Sequence, residues 1–84
     1  MDVRRKKMRF RAWRRGFREI DLILGGFADQ KLASLDAAGL DDFERLLGAP
    51  DPDVYEWITN QASAPSEHET PTLASIRAFH VARS

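Results

Sequence analysis

The sequence contains no cysteine, which excludes disulfide cross-links, thiolate nucleophiles and cysteine-ligated metal sites. It also has no apolar run near the roughly 20 residues that a transmembrane helix needs. No segment shows the apolar–polar alternation that is typical of a half-buried strand. A chain of 84 residues has only a small core. We therefore expect a single helical domain that spans residues 1–84.

The N-terminal segment MDVRRKKMRF lacks the apolar stretch of a secretory signal peptide. Its arginine-rich composition resembles that of an organellar transit peptide. It leads directly into a helical pattern, however, so we expect this segment to be part of the domain.

Basic residues are concentrated near the N-terminus, although the net charge of the whole chain is zero. Residues 1–20 hold nine Lys and Arg against two acids, a charge of +7, and the remaining residues carry −7. Such a charge separation steers a protein toward charged partners. Alternatively, the two parts neutralise each other within the fold. Both interpretations stay open at the level of sequence.

Helical periodicity starts near residue 4. The apolar residues that recur every three or four positions are Phe10, Trp13, Phe17, Ile20, Leu24 and Phe27. This spacing predicts one buried helical stripe. Because glycine within a helix costs about 1 kcal/mol relative to alanine, Gly16 indicates a bend or a break. We predict one kinked helix, or two helices at about 4–14 and 16–25, ended by Gly25 and Gly26.

Two further helices are predicted in the middle of the chain. Residues 28–35 allow a short helix with Leu32 and Leu35 facing inward. Asp41 is the expected N-cap of the next helix, which Gly48 closes. The apolar face of that helix comprises Phe43, Leu46 and Leu47.

The C-terminal half contains two helix starts in which a capping residue precedes proline, at 51–52 and 70–71. Residues 60–69 are small, polar and proline-containing, which indicates a surface loop. The stripes of the two helices comprise Val54, Trp57 and Ile58 in the first, and Leu73, Ile76 and either Phe79 or His80 in the second. The predicted fold class is all-α, a small bundle of about five short helices.

The stretch RRGFRE, residues 14–19, points to a surface function. On a continuous helix, Arg15, Gly16 and Glu19 share a face that is turned away from the apolar stripe. Glycine on a solvent face is useful where the chain bends, or where another backbone approaches closely. Two interpretations follow, a helix hinge with a surface ion pair, or a docking site for another protein.

At these residues the sequence resembles the succinate dehydrogenase assembly factor 2 family, the FAD assembly factors. RGFRE, residues 15–19, matches the RGxxE motif of that family, and FERLLGAPDPDVYEWI, residues 43–58, resembles its second signature. The separation of the two signatures and the chain length also fit, and the resemblance covers residues 4–60. Phe17, Ile20 and Val54 stand where the family often has methionine, leucine and leucine, and all three remain apolar.

The resemblance implies a single FAD assembly factor domain at 1–84 that folds as a five-helix bundle. Such a chaperone binds the flavoprotein subunit of succinate dehydrogenase, and in bacteria that of fumarate reductase. It promotes a covalent bond from the flavin 8α-methyl carbon to a histidine of that subunit. We expect no enzymatic activity and no tightly bound cofactor, because the FAD is held by the partner. We also expect a monomer without membrane insertion, in the bacterial cytoplasm or in the mitochondrial matrix of a eukaryote.

We hypothesise which residues of this chain bind such a partner. Arg15, Gly16 and Glu19 would form the centre of the contact. Tyr55 either extends this surface or packs into the core, as aromatic residues at helical spacing usually do. The basic neighbours that would set encounter rate and register are Arg11, Arg14 and Arg18.

Other chemistry receives less support from the sequence. The segment at 4–15, RRKKMRFRAWRR, is basic with interleaved aromatic residues, so a small nucleic-acid-binding protein is the alternative function. The acidic remainder of the chain argues against it. A membrane-surface helix at 4–17 is disfavoured because its aromatic residues are needed in the core. The adjacent side chains of Glu67, His68 and Glu69 point apart, which disfavours a metal site.

Overall fold

The computed structural model describes residues 1–83, which form five α-helices and no strand. The helices are α1 (Val3–Trp13), α2 (Arg18–Lys31), α3 (Ala37–Leu47), α4 (Asp51–Ile58) and α5 (Pro71–Arg83). A 3₁₀ helix at Leu32–Ser34 follows α2 directly and buries Leu32. The predicted small all-α bundle of about five helices is confirmed.

One hydrophobic core receives buried side chains from all five helices. Phe27 of α2 links three of them, because its ring centroid lies 5.7 Å from that of Phe43 in α3 and 5.7 Å from that of Phe79 in α5. Helix α1 packs mainly on α2, and α5 contacts α2, α3 and α4. The N-terminal basic helix is therefore part of the bundle, with one face left to solvent.

The break at Gly16 is confirmed, since α1 ends at Trp13 and α2 begins at Arg18. The prediction that Gly25 and Gly26 end the second helix is wrong. Both glycines are buried inside α2, which continues to Lys31. They lack side chains because neighbouring groups, Trp13 at the first and Arg83 at the second, occupy the space that a Cβ would need.

Helix α1 buries a different face from the predicted one. Met8 and Ala12 are buried, whereas Phe10 is 58% exposed. Trp13 and Phe17 are half-buried. The prediction that Phe10 lies in the core was wrong, because it assumed that one helical stripe runs without interruption from Phe10 to Phe27. Because the helix is interrupted at residues 14–17, the face that α1 buries is not tied to the face that α2 buries. Helix α1 therefore packs with the small side chain of Ala12 inward.

Two predicted helix caps were wrong. The N-cap of α3 is Asp36 rather than Asp41, and its Oδ1 accepts a hydrogen bond from the Gly39 backbone N–H at 2.8 Å. Asp51 is the first residue of α4, and Pro50 occupies the cap position without a side-chain hydrogen bond. The Asp51 carboxylate is therefore available for another contact.

The C-terminal half follows the prediction more closely. Gly48 follows the last residue of α3, and Thr70 Oγ1 accepts from the Leu73 backbone N–H at 3.1 Å. Residues 60–69 contain no helix and consist of turns, bends and irregular backbone, as expected of a loop. Trp57 is buried, and its ring stacks on His68 with centroids 5.1 Å apart. The inward side chains of α5 are Leu73, Ile76 and Phe79, with His80 half-buried.

At 14 residues or fewer, the helices described here lack the combination of length and apolar character that crossing a bilayer requires.

Candidate partner-docking site

The turn between α1 and α2, residues 14–17, alternates between outward and inward side chains. Arg14 and Gly16 are exposed, whereas Arg15 and Phe17 are partly buried. Phe17 is extended, with φ −130° and ψ 110°, and its ring centroid lies 5.3 Å from that of Tyr55. The helix break therefore divides the predicted cluster into exposed and inward-facing members.

Arg15 points into the protein, and its side chain is only 12% exposed. Its Nε donates to Oδ1 of Asp51 at 2.8 Å, and its Nη2 lies 2.8 Å from the same oxygen. Nη2 also donates to the carbonyl oxygen of Ala49 at 3.3 Å, and the Arg15 backbone N–H donates to Oδ1 of Asp21 at 2.6 Å. The prediction that Arg15 shares an outward face with Glu19 was wrong. Its involvement in partner binding stays a prediction.

Gly16 has a φ of +84°, a region that L-residues with side chains rarely adopt. A Cβ built on this residue would meet no atom within 4 Å. Glycine is therefore required here by the backbone conformation of the turn and not by a lack of space within the chain. The outer side of Gly16 is open to another molecule.

Glu19 is exposed in the first turn of α2, where a negative charge interacts favourably with the helix dipole. It forms no ion pair with any part of the chain that the structure describes. Glu19 and Tyr55, both predicted site residues, lie on the wall of one groove of about 240 Å³. The other lining residues are Leu22, Ile23, Phe79, His80 and Arg83.

The groove combines apolar walls with charges of both signs. Leu22 is 44% exposed, which is high for a large aliphatic side chain. Arg83 donates from Nη1 to the Leu22 carbonyl oxygen at 3.3 Å, and its guanidinium carbon lies 5.0 Å from the centroid of the Phe79 ring. A bound segment with an apolar side chain and a cationic group would match Leu22 and Glu19 respectively.

The predicted basic neighbours Arg11, Arg14 and Arg18 are all exposed. The Arg14 guanidinium carbon lies 3.9 Å from the centroid of the exposed Phe10 ring, a cation–π contact. No carboxylate in residues 1–83 lies within 4.0 Å of these three guanidinium groups. In contrast, Arg4 pairs with two acids of α3, Asp41 at 2.6 Å and Glu44 at 3.1 Å. The basic region is thus partly neutralised within the fold and partly free.

Several residues of the site were missed at the level of sequence. Asp21 and Asp51 hold Arg15, but Asp51 was predicted as a helix cap and Asp21 had no predicted role. Leu22 and Arg83 line the groove without any motif that marks them. No local signal connects Arg15 with a residue 36 positions away, because that contact exists only after α4 has packed.

His68, in the middle of three adjacent potential metal ligands, is buried against Trp57. Within residues 1–83, no three His, Asp or Glu side chains are arranged to hold a metal ion.

Comparison with known proteins adds a family assignment to this geometry. Residues 6–80 match the family described as "Flavinator of succinate dehydrogenase". The chain is 40% identical over 73 residues to the mitochondrial succinate dehydrogenase assembly factor 2 of Dictyostelium discoideum, covering 87% of this chain and 52% of that protein. It is 37% identical over 71 residues to an FAD assembly factor of Acetobacter pasteurianus, covering 84% and 65%.

The chain therefore spans about half to two thirds of the length of these curated relatives. No solved structure matches it significantly.

Proposed function

The chain belongs to the family of succinate dehydrogenase flavinators, and from that premise we propose that it binds the flavoprotein subunit of succinate dehydrogenase and promotes covalent attachment of FAD to it. The support is the match over residues 6–80, together with relatives that are named as assembly factors of succinate dehydrogenase and of FAD. The chain acts as a chaperone rather than an enzyme, and the FAD is held by the partner.

The proposal includes further clients and a location. The flavoprotein of fumarate reductase is a second client, a proposal that rests on the family resemblance. The site of action is the bacterial cytoplasm, or the mitochondrial matrix in a eukaryote. Relatives from both settings support this pair of locations, since they include a bacterial protein and proteins named as mitochondrial.

The proposed docking surface runs from Gly16 over Glu19 into the groove that Tyr55 lines. The observation that supports it best is the exposed carboxylate of Glu19, which has no ion-pair partner within residues 1–83 and borders an apolar groove. A charge-assisted hydrogen bond from the partner to Glu19 would be stronger than a neutral one. The open backbone at Gly16 allows a second surface to approach closely.

The proposed mechanism is selective binding. An assembly factor shifts its client toward the conformation that it binds more tightly, and equal affinity for both conformations would shift nothing. A preference of about 2.7 kcal/mol changes the ratio of the two conformations about a hundredfold. The groups that form the flavin bond can then all belong to the flavoprotein, while this chain holds them in alignment. Arg11, Arg14 and Arg18 contribute to encounter rate and register.

The experiment that tests this function is in-gel flavin fluorescence of the flavoprotein subunit, expressed with and without the chain. We expect strong covalent fluorescence with the parent chain and weak fluorescence with Glu19→Ala or Gly16→Arg. Glu67→Ala is the matched control, because Glu67 is 68% exposed and does not line the groove.

The two parts of the proposal fail separately. If the parent chain leaves covalent fluorescence unchanged, the proposed function is wrong. If the parent acts but Glu19→Ala and Gly16→Arg act equally well, only the docking surface is wrong.

A further inference from the structure

We propose that Arg15, Asp21 and Asp51 form a clasp that holds the α1–α2 turn in its docking conformation. Arg15 then supports partner binding as a positioning residue rather than by touching the partner. Asp21 and Asp51 become positioning residues of the same site. The binding part of this inference rests on the proposed function.

The clasp joins three separate parts of the chain through one residue. The Arg15 backbone N–H is held by Asp21 in the first turn of α2 at 2.6 Å. Its guanidinium is held by Asp51 at the start of α4 and by the Ala49 carbonyl oxygen just before it. The turn is thereby fixed to α4, an element with which α1 and α2 share little other contact.

The ion pair of the clasp is shielded from water. The Arg15 side chain is 12% exposed and the Asp51 side chain 18% exposed, whereas Arg4 and Asp41 in the α1–α3 pair are 41% and 58% exposed. Shielded charges attract each other more strongly than charges in water, and removal of one partner leaves the other uncompensated. Loss of Asp51 should therefore release the turn rather than merely weaken it.

The clasp determines which groups face outward. With Arg15 directed inward and Phe17 against Tyr55, the residues left at the surface are Arg14, Gly16, Arg18 and Glu19. A turn that is already ordered loses less conformational entropy when a partner binds. Pre-organisation of Gly16 and Glu19 is therefore the contribution that Arg15 makes to affinity.

A competing role for Arg15 makes the opposite prediction. If the guanidinium left Asp51 to contact the partner, replacing Asp51 would free it, and binding would be unchanged or tighter. If the clasp positions the turn, the same replacement weakens binding. Asp51→Ala thus separates the two roles by the sign of its effect.

The test measures the dissociation constant of the parent and Asp51→Ala chains for the flavoprotein subunit. We expect about tenfold weaker binding for Asp51→Ala, the scale set by ordering one or two side chains at an interface. The matched control is Glu69→Ala. Glu69 also pairs with an arginine that bonds a backbone carbonyl, but away from the turn. Arg77 donates from Nη1 to the Glu69 carboxylate at 2.9 Å and from Nε to the Trp57 carbonyl oxygen at 2.9 Å.

A second readout does not depend on the partner. Backbone amide hydrogen exchange should accelerate in Asp51→Ala at Arg15, whose N–H donates to Asp21, and at Asp21, whose N–H donates to the Phe17 carbonyl oxygen at 2.9 Å. In Glu69→Ala both amides should exchange at the parent rate. The clasp is overturned if Asp51→Ala binds as tightly as the parent, if both variants lose binding equally, or if exchange at the Arg15 and Asp21 amides does not change. If the parent itself does not bind the flavoprotein, the proposed function fails, and the exchange measurement still decides whether the clasp orders the turn.

Discussion

The indole ring of Trp13 lies directly against the backbone of Gly25, so that a Cβ on residue 25 would be only 2.2 Å from ring atom Cδ2. The indole N–H donates to Oδ1 of Asp29 at 3.2 Å, one turn further along α2. Gly25 therefore serves the packing of α1 on α2, which offsets the roughly 1 kcal/mol that glycine costs inside a helix.

Replacing Gly25 with alanine should destabilise the protein by about 1–3 kcal/mol, the usual cost of inserting a methyl group where a rigid ring already lies. Urea denaturation followed by circular dichroism measures this free energy. Gly48→Ala is the control, because a Cβ there would meet only the Arg45 carbonyl oxygen at 3.4 Å. Equal losses in the two variants would contradict the Trp13–Gly25 contact.

Gly16→Ala should lower the free energy of unfolding by about 1–2 kcal/mol, because alanine strains at positive φ even where space is open. Gly16→Asn should lose less, since asparagine tolerates the left-handed region better. Thermal unfolding of the three chains checks this order. An alanine variant as stable as the parent would show that the turn does not need the φ of +84°.

Asp2 makes the start of α1 sensitive to acid. The Arg5 backbone N–H donates to Asp2 Oδ1 at 2.8 Å, and the Arg5 guanidinium pairs with the other carboxylate oxygen. These two hydrogen bonds lower the pKa of Asp2 below its usual value of 3.8. Because the pKa is depressed in the folded state, the stabilisation is complete above pH 3.8 and is lost as the pH falls through the folded-state pKa.

An NMR titration of the Asp2 carboxyl carbon should therefore give a pKa below 3.8, and Arg5→Ala should raise it toward that value. A parent pKa at or above 3.8 would contradict the capping contact.

The free cations of the basic region should steer association with the flavoprotein. Within residues 1–20, the exposed Lys and Arg side chains that have no carboxylate of the described chain within 4.0 Å are Lys6, Lys7, Arg9, Arg11, Arg14 and Arg18. We expect Lys6→Glu with Lys7→Glu to lower the association rate constant several-fold at low salt, with little change in dissociation. Stopped-flow mixing over a range of salt concentrations measures both rates.

The double variant Lys31→Glu with Arg45→Glu is the control, because it changes the net charge equally at positions outside the basic region. If both double variants lower the association rate constant equally, the net charge of the chain sets the rate and the basic region does not. If the parent chain is retained on immobilised DNA and the variant with Lys6→Glu and Lys7→Glu is not, the result would instead support the nucleic-acid alternative. The affinity of such a protein for DNA falls steeply as the salt concentration rises.

Local signals predicted the features of this protein that a short segment can determine. The helix break at Gly16, the cap at Thr70 and the end of α3 at Gly48 each depend on the conformational preference or hydrogen-bonding capacity of one or two residues. Trp57 was placed correctly in the core because its helix keeps one continuous apolar stripe. The two motif regions, residues 15–19 and 43–58, were sufficient to indicate the family.

Sequence alone therefore determined the helical class, the helix break and the family, because periodicity, caps and motifs are properties of neighbouring residues. Only the tertiary structure decided that Met8 rather than Phe10 enters the core, and that α2 continues through its two glycines, the first of which packs against Trp13. Arg15 likewise points inward because the carboxylate of Asp51, 36 residues away in the sequence, lies beside it in the folded chain. Such outcomes depend on how closely two helices approach and on which charges meet when they do, and no local pattern carries that information.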